Sequence, residues 1–266
     1  MSLRAAFTQH RELLLNLAAR ELKLRYRGSV LGFLWSVLIP LFMAIIYMVF
    51  LRLLGGRGVP MADIIIGVFA WQFTVQCVNA GLTSITGSAN LVKKVYFPRV
   101  ILPLSATLAN AATYAMSLLV QFPLLAVLFH YSGASFSPWI FLLPAVLLVH
   151  LVFNLALALL LAGLNVVVRD AQHLVGILLS AWFFVSPVMY NLDFVARHAE
   201  AHPWAPHVFL LNPLTVIITG YRCVITGGAV FPWETAAYVT LAAIGVFFVF
   251  AYRLFQRLQK DFADLL

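Results

Sequence analysis

The sequence predicts an all-α integral membrane protein: an N-terminal interfacial amphipathic helix, six transmembrane helices and short outer re-entrant helices. Three observations lead there. Residues 100–168, between Arg99 and Arg169, contain no Asp, Glu, Lys or Arg. A span needs about 20 apolar residues to cross ~30 Å of hydrocarbon, so this stretch suits two. It breaks at the turn-rich segment 130–138, which contains Ser132, Gly133, Ser135, Ser137 and Pro138. Second, 63% of the 266 residues are hydrophobic and 10% are charged, with a mean hydropathy of +0.98; soluble domains are about a quarter charged. Third, the basic residues fall unevenly on the two sides that six spans define.

The charge-free windows place the spans at 30–51, 64–85, about 100–129, about 138–168, 171–191 and 235–252. Pro40, Pro103, Pro123, Pro144 and Pro187 lie within or near them, and membrane helices tolerate such kinks. One side then carries thirteen basic residues, among them Arg4, Arg20, Arg25, Arg27, Lys93, Lys94, Arg99, Arg169, Arg253 and Lys260. The other carries four: Arg52, Arg57, Arg197 and Arg222. The positive-inside rule makes the richer side cytoplasmic, with both termini on it. The net charge of +8 is thus topology and contact with anionic lipid. It is not a nucleic-acid footprint, because no soluble basic module carries it. The first 30 residues lack the compact apolar run of a cleavable signal peptide. Cys77 and Cys223 have no motif spacing, which argues against a disulfide framework or zinc site.

Three segments of this single domain, 1–266, are not simple spans. In 1–27, Leu3, Phe7, Leu14, Leu17 and Ala18 share one helical arc, and Thr8, Glu12, Asn16, Arg20 and Lys23 the opposite one. That pattern suits a helix lying in the interface, although His10 and Glu21 fall on the apolar arc. Segment 88–98 sets Lys93 and Lys94 among Leu91, Val92, Val95, Tyr96 and Phe97. Segment 193–234 contains two apolar runs, 208–211 and 214–219, either side of Asn212-Pro213. Each is too short to span; short re-entrant helices or an ordinary extracytoplasmic loop both fit.

No GxxxxGK[ST], HExxH or GxSxG occurs, so the chain has no nucleotide-phosphate cradle and no recognisable hydrolytic centre. No catalytic or metal-ligating residue is assigned. Asp170 and His173 are three apart, but Asp170 is expected to pair with Arg169 and cap the following helix. The span interiors contain no Asp, Glu, Lys or Arg, against the ionisable relay of an ion-coupled carrier. His150, alone in mid-span, is expected to be a hydrogen-bonded core residue. A transporter built this way must take its energy from a partner.

Five collinear motifs resemble type-2 ABC exporter permeases. Leu24-Arg25-Tyr26-Arg27-Gly28-Ser29-Val30-Leu31-Gly32-Phe33-Leu34-Trp35, then Pro40, resembles that family's opening motif. Val92-Lys93-Lys94-Val95-Tyr96-Phe97-Pro98-Arg99 with Leu102-Pro103-Leu104-Ser105 resembles its cytoplasmic segment between the second and third helices. Leu164-Asn165-Val166 with Arg169, Asp170 and His173, then Trp182-Phe183 with Ser186-Pro187-Val188, resemble its fourth-to-fifth connection and fifth helix. Asn212-Pro213-Leu214 with Tyr221-Arg222 resembles its outer gate region. The closest branch exports lipid-linked polysaccharides such as O-antigens, and teichoic acids.

The resemblance implies a homodimer with a channel on its axis and two copies of a separate ATP-binding subunit, which would hold ATP and magnesium. This chain itself would hold no cofactor. The cargo would be a polyprenyl-diphosphate-linked glycan, crossing the bacterial inner membrane. Spans one, two and five line the channel in the family, so Trp35, Tyr47, Trp71, Phe73, Trp182, Phe183 and Phe184 are candidate channel aromatics. Their alternative is an interfacial or lipid-facing position. Leu91, Val92, Lys93, Lys94, Val95 and Tyr96 are candidates for coupling to the ATPase, the alternative being a basic loop on anionic lipid. Arg25 and Arg27 lie at headgroup height, where a guanidinium grips a diphosphate bidentately; snorkelling to lipid phosphate is the other reading. Gly28 and Gly32 would shape the entrance. The same fold also serves teichoic acid or small hydrophobic drugs. From another class, an integral-membrane enzyme acting on lipid-linked sugars would need clustered carboxylates, whereas Asp63, Asp170, Asp193 and Glu234 are scattered.

Overall fold

The computed structural model describes residues 10–53, 59–168, 170–198 and 204–266. Arg4, Arg57 and Arg169, with the rest of 1–9, lie outside them. The described residues form an α-helical bundle without a named strand. Five stretches are long and apolar enough to cross a bilayer: Gly32–Phe50, Met61–Thr83, Ile101–Ser132, Pro138–Val167 and Thr235–Leu258.

Helix α1 (Arg11–Tyr26) lies against α5 (Ile101–Ser132). Leu14 and Ala18 are buried while Glu12, Asn16, Arg20 and Lys23 are exposed. The apolar arc read from the sequence is therefore covered in part by the bundle itself. A link follows in which Gly28 and Gly32 have φ of 76° and 47°. That left-handed backbone favours glycine, and it turns the chain into α2 (Trp35–Leu53).

Helix α3 (Met61–Thr83) is the axis of the bundle, buried along most of its length between α2, α5 and α6 (Leu143–Val167). Small residues allow the approach: a Cβ on Gly81 would lie 2.5 Å from Ala158 Cβ. Lipid gives spans no hydrophobic reason to associate, so close contact of this kind and buried hydrogen bonds hold them together. His150 on α6 supplies one such group. Its Nε2 lies 2.7 Å from Thr74 Oγ1 and its Nδ1 3.3 Å from Tyr221 OH. It is a satisfied core residue, as its isolation in the sequence predicts.

Between α3 and α5 a short helix, α4 (Ala89–Lys94), forms the 88–98 segment. The α5–α6 hairpin turns at Gly133, φ 71°, and α6 is led in by Ser137, whose hydroxyl accepts from Trp139 N at 3.2 Å.

The fifth predicted span, 171–191, is helical only as α7 (Ala171–Val185). Its 15 residues reach about 22 Å at 1.5 Å each, short of the hydrocarbon thickness. Pro187 ends it: Ser186 before it is extended, at φ −99°, ψ 143°, the conformation a following proline imposes. Asp170 precedes α7, but its side chain makes no cap hydrogen bond. Its carbonyl, not its carboxylate, takes His173 N and Leu174 N. The expected side-chain cap is therefore absent.

Segment 193–234 holds α8 (Leu192–His198), α9 (Ala205–Leu210) and α10 (Pro213–Ile225). Asn212 caps α10, accepting from Leu214 N at 3.1 Å, with Pro213 in the first turn. Residues 214–225 are all buried, against α3 and α6 among others. An ordinary surface loop does not look like this. The last long helix, α11 (Thr235–Leu258), packs on α6 and leads to a terminal turn, α12 (Phe262–Leu265).

Candidate functional site

Helices α2, α3 and α7 line a cavity of about 640 Å³ that is more open than enclosed. Helical phase sets its walls. Trp71, Val75 and Asn79 recur every four residues on α3, as do Leu179 and Phe183 on α7, so each set lines one face. Tyr47 and Phe50 face it from α2. Phe183 is the hub: its ring centroid lies 5.1 Å from Tyr47, 5.5 Å from Trp71 edge-on and 5.3 Å from Phe184. Tyr47, Trp71, Asn79 and Ser180 are the lining side chains that carry polar atoms, and no charged side chain among the described residues lines the cavity.

Four of the seven aromatics named from the sequence thus meet here: Tyr47, Trp71, Phe183 and Phe184. Three do not. Phe73 is about 200° from Trp71 around α3 and turns into the core, stacked on Tyr114 at 4.7 Å and edge-on to His150 at 4.7 Å. Trp182 points off the cavity; its Nε1 donates to Asn212 Oδ1 at 3.0 Å and its ring meets Phe153. Trp35 stands exposed at the start of α2.

Beside the cavity, Arg25 Nη1 donates to Gln76 Oε1 at 3.2 Å. Gln76 lies one turn from Asn79 on α3, so this contact ties the end of α1 to the helix that carries the cavity wall. Arg27 is exposed and ends α1. The link with Gly28 and Gly32 runs on from it, and nothing lies within 4 Å of a Cβ built on either glycine.

The 88–98 segment divides into an inner and an outer face. Val92 and Phe97 are buried in a cluster with Phe255 and Phe262, and Leu91 is half-buried. Lys93, Lys94 and Val95 are exposed, and Tyr96 is fully so. Val92 is spoken for by its own chain; Val95 and Tyr96 are what remains for a partner. Arg99 Nη1 donates to the Gln259 carbonyl, and its guanidinium lies 6.0 Å over the Phe262 ring. The C-terminal turn therefore braces this segment, a contact no local pattern announces. Sequence reasoning also missed Asp63 and Tyr114. The only available signal for Asp63 was an acidic residue one turn from the start of an apolar helix.

The family model described as ABC-2 type transporter matches residues 12–226. The O-antigen export system permease protein RfbA of Myxococcus xanthus is 33% identical over 263 residues, covering 96% of each chain. A protein of the same name from Klebsiella pneumoniae is 28% identical over 262 residues, 96% of this chain and 95% of the other. A second from that organism is 26% identical over 261 residues, with the same coverage.

Proposed function

The chain belongs to the ABC-2 type transporter family, and from that premise we propose that it is the membrane half of an ATP-driven exporter of a polyprenyl-diphosphate-linked, O-antigen-like polysaccharide. It is a multi-pass membrane permease that works with an ATP-binding subunit and has no ATPase site of its own. The observation that carries the cargo reading is the cavity between α2, α3 and α7. Tyr47, Trp71 and Phe183 converge on it from three helices, and no charged side chain among the described residues lines it. Aromatic faces suit the C–H faces of sugars, and they hold each repeat of a polymer alike. The names of the relatives support the same cargo.

In this reading two copies of the chain face each other across the exposed apolar surfaces of α2 and α7, which include Phe42, Ile46, Ile177 and Phe184. The second copy closes the cavity into a channel. Two ATP-binding subunits, each with ATP and magnesium, dock on Lys93, Lys94, Val95 and Tyr96 from the cytoplasm. Arg27, with Arg25 beside it, holds the diphosphate at the inner leaflet of the inner membrane, and the Gly28–Gly32 link opens the way in. Both termini are cytoplasmic.

The test is genetic and biochemical together. A strain lacking the gene should lose surface polymer and regain it with the wild-type chain. A nucleotide-binding subunit should co-purify with the tagged permease and hydrolyse ATP. Unchanged surface polymer in the deletion strain would overturn the cargo; a permease that purifies without any ATPase would overturn the coupling.

A further inference from the structure

The broken outer end of α7 raises a physical problem. A helix that stops inside a bundle leaves carbonyls without partners, and irregular backbone at membrane depth persists only where protein satisfies it. Ser186 and Val188 are fully buried. Their neighbours are met by two residues of the α9–α10 unit. Arg222 Nη2 donates to Pro187 O at 2.8 Å and to Val188 O at 3.3 Å. The same guanidinium reaches Asp63 O, at 2.9 Å from Nη2 and 3.2 Å from Nε. Asn212 Nδ2 donates to Ser186 Oγ at 2.9 Å, while Asn212 Oδ1 accepts from Trp182 Nε1. The space is made for this: a Cβ on Gly67 would lie 2.1 Å from Val188 O and 2.9 Å from Arg222 Nη2. The Asp63 carboxylate is engaged elsewhere, by Asn191 Nδ2 at 2.9 Å. Arg222 is 3% exposed, so it has no face to offer a passing polymer.

We propose that Arg222 and Asn212 are positioning residues that bolt the outer end of α7 to α10, so that the cavity wall carrying Phe183 and the buried helix α10 move as one body during transport. The proposal rests on the exporter reading above for its cargo, but not for the bolt. Trp182, held by Asn212, is adjacent to Phe183, and Pro187 and Val188, held by Arg222, follow one turn later. Any outward motion of α10 therefore carries Phe183 with it. An opening in which α7 and α10 part would have to strip the carbonyls of Pro187 and Val188 of their guanidinium donor in apolar surroundings, which is the costly direction.

The experiment uses the full permease with its ATPase, in a background carrying C77S and C223A. The paired substitutions S186C and N212C remove the Asn212 hydrogen bonds and put two thiols in their place. Reduced, this variant should export at least fivefold less polymer than the background while the complex still assembles and hydrolyses ATP. Oxidation to the disulfide should restore export to within twofold. Export that falls further on oxidation and returns with reductant would overturn the one-body motion. Background-level export in the reduced state would overturn the need for the bolt. Arg222→Met should likewise uncouple ATP hydrolysis from export, with Arg222→Lys intermediate; if Arg222→Met does not accumulate, the cysteine pair decides alone. Export is also measured in the unmodified strain, so a missing wild-type signal counts against the cargo, whereas the ATPase response to oxidation still reads the bolt.

Discussion

Phe183 meets Tyr47 across the seam between α7 and α2 with ring centroids 5.1 Å apart, and both rings line the cavity. Neither helix is deeply embedded in the bundle; both show apolar side chains outward. In the exporter reading proposed above, the aromatic seam is where the wall parts for cargo.

Removing that seam should cost transport and spare folding. Aromatic pairs are worth about 0.5–1.5 kcal/mol, so Phe183→Ala or Tyr47→Ala should reduce surface polymer about two- to tenfold at normal permease abundance. Phe73→Ala is the contrast. Its ring is buried between Tyr114 and His150, and truncation should cost about 3 kcal/mol, the low end of core values because lipid already solvates apolar groups in the unfolded spans. It should lower permease abundance and melting temperature. Loss of export from Phe73→Ala at full abundance, with Phe183→Ala silent, would reverse the assignment.

How far the sequence reaches is visible in these same residues. Charge gaps locate the long helices to within a few residues, because lipid punishes every ionisable side chain: 64–85 becomes Met61–Thr83 and 138–168 becomes Pro138–Val167. Span membership does not say which face a side chain takes. Helical phase does, and applied to Trp71 and Phe73 it would have sent them to opposite sides. Pro187 marked a kink in the sequence and ends the helix, but the burial of the broken backbone after it depends on donors from Arg222 and Asn212, far along the chain. The burial of Val92 depends on Phe262, equally distant. Contacts of that kind are tertiary and leave no local pattern.

The division of the 88–98 segment makes two classes of mutant. Val95→Asp with Tyr96→Asp places charge on the free face. It should dissociate or uncouple the ATPase, cutting permease-stimulated hydrolysis at least fivefold, and leave the permease itself as stable as wild type. Val92→Asp places the same charge inside the cluster with Phe255 and Phe262. An unpaired buried carboxylate is among the costliest substitutions, so this variant should fail to accumulate. Pull-down of the ATPase and thermal melting of the solubilised permease separate the two. Normal coupling in the Val95/Tyr96 variant would remove this face from the interface.

Topology follows from the basic residues and is open to direct measurement. With Cys77 and Cys223 replaced, single cysteines at 57 and 197 should react with a membrane-impermeant maleimide from outside intact cells. A cysteine at 96, the most exposed position of its segment, should react only after the cells are opened. The thirteen-to-four bias of basic residues carries the expectation. Labelling at 57 only in opened cells would sink the six-span arrangement.

Arg27 carries the last prediction. It is exposed at the end of α1, at the start of the glycine link, while Arg25 is held by Gln76. The two arginines therefore have different freedoms: Arg25 is tied to α3, and Arg27 can swing to a ligand. A diphosphate offers two adjacent anionic groups, which a planar guanidinium grips with paired hydrogen bonds and an ammonium meets as a point charge. An arginine that only anchors the helix to lipid phosphates should be replaceable by lysine, because any cation snorkels. Charge-assisted hydrogen bonds contribute about 1.5–3 kcal/mol, so Arg27→Ala should lower export about ten- to hundredfold. Arg27→Lys should recover only part of it, and Arg25→Lys should be milder than either. The measurement is surface polymer per permease molecule, with abundance determined from the same membranes. Full export from Arg27→Lys would assign the residue to lipid anchoring, and full export from Arg27→Ala would remove it from the transport path altogether.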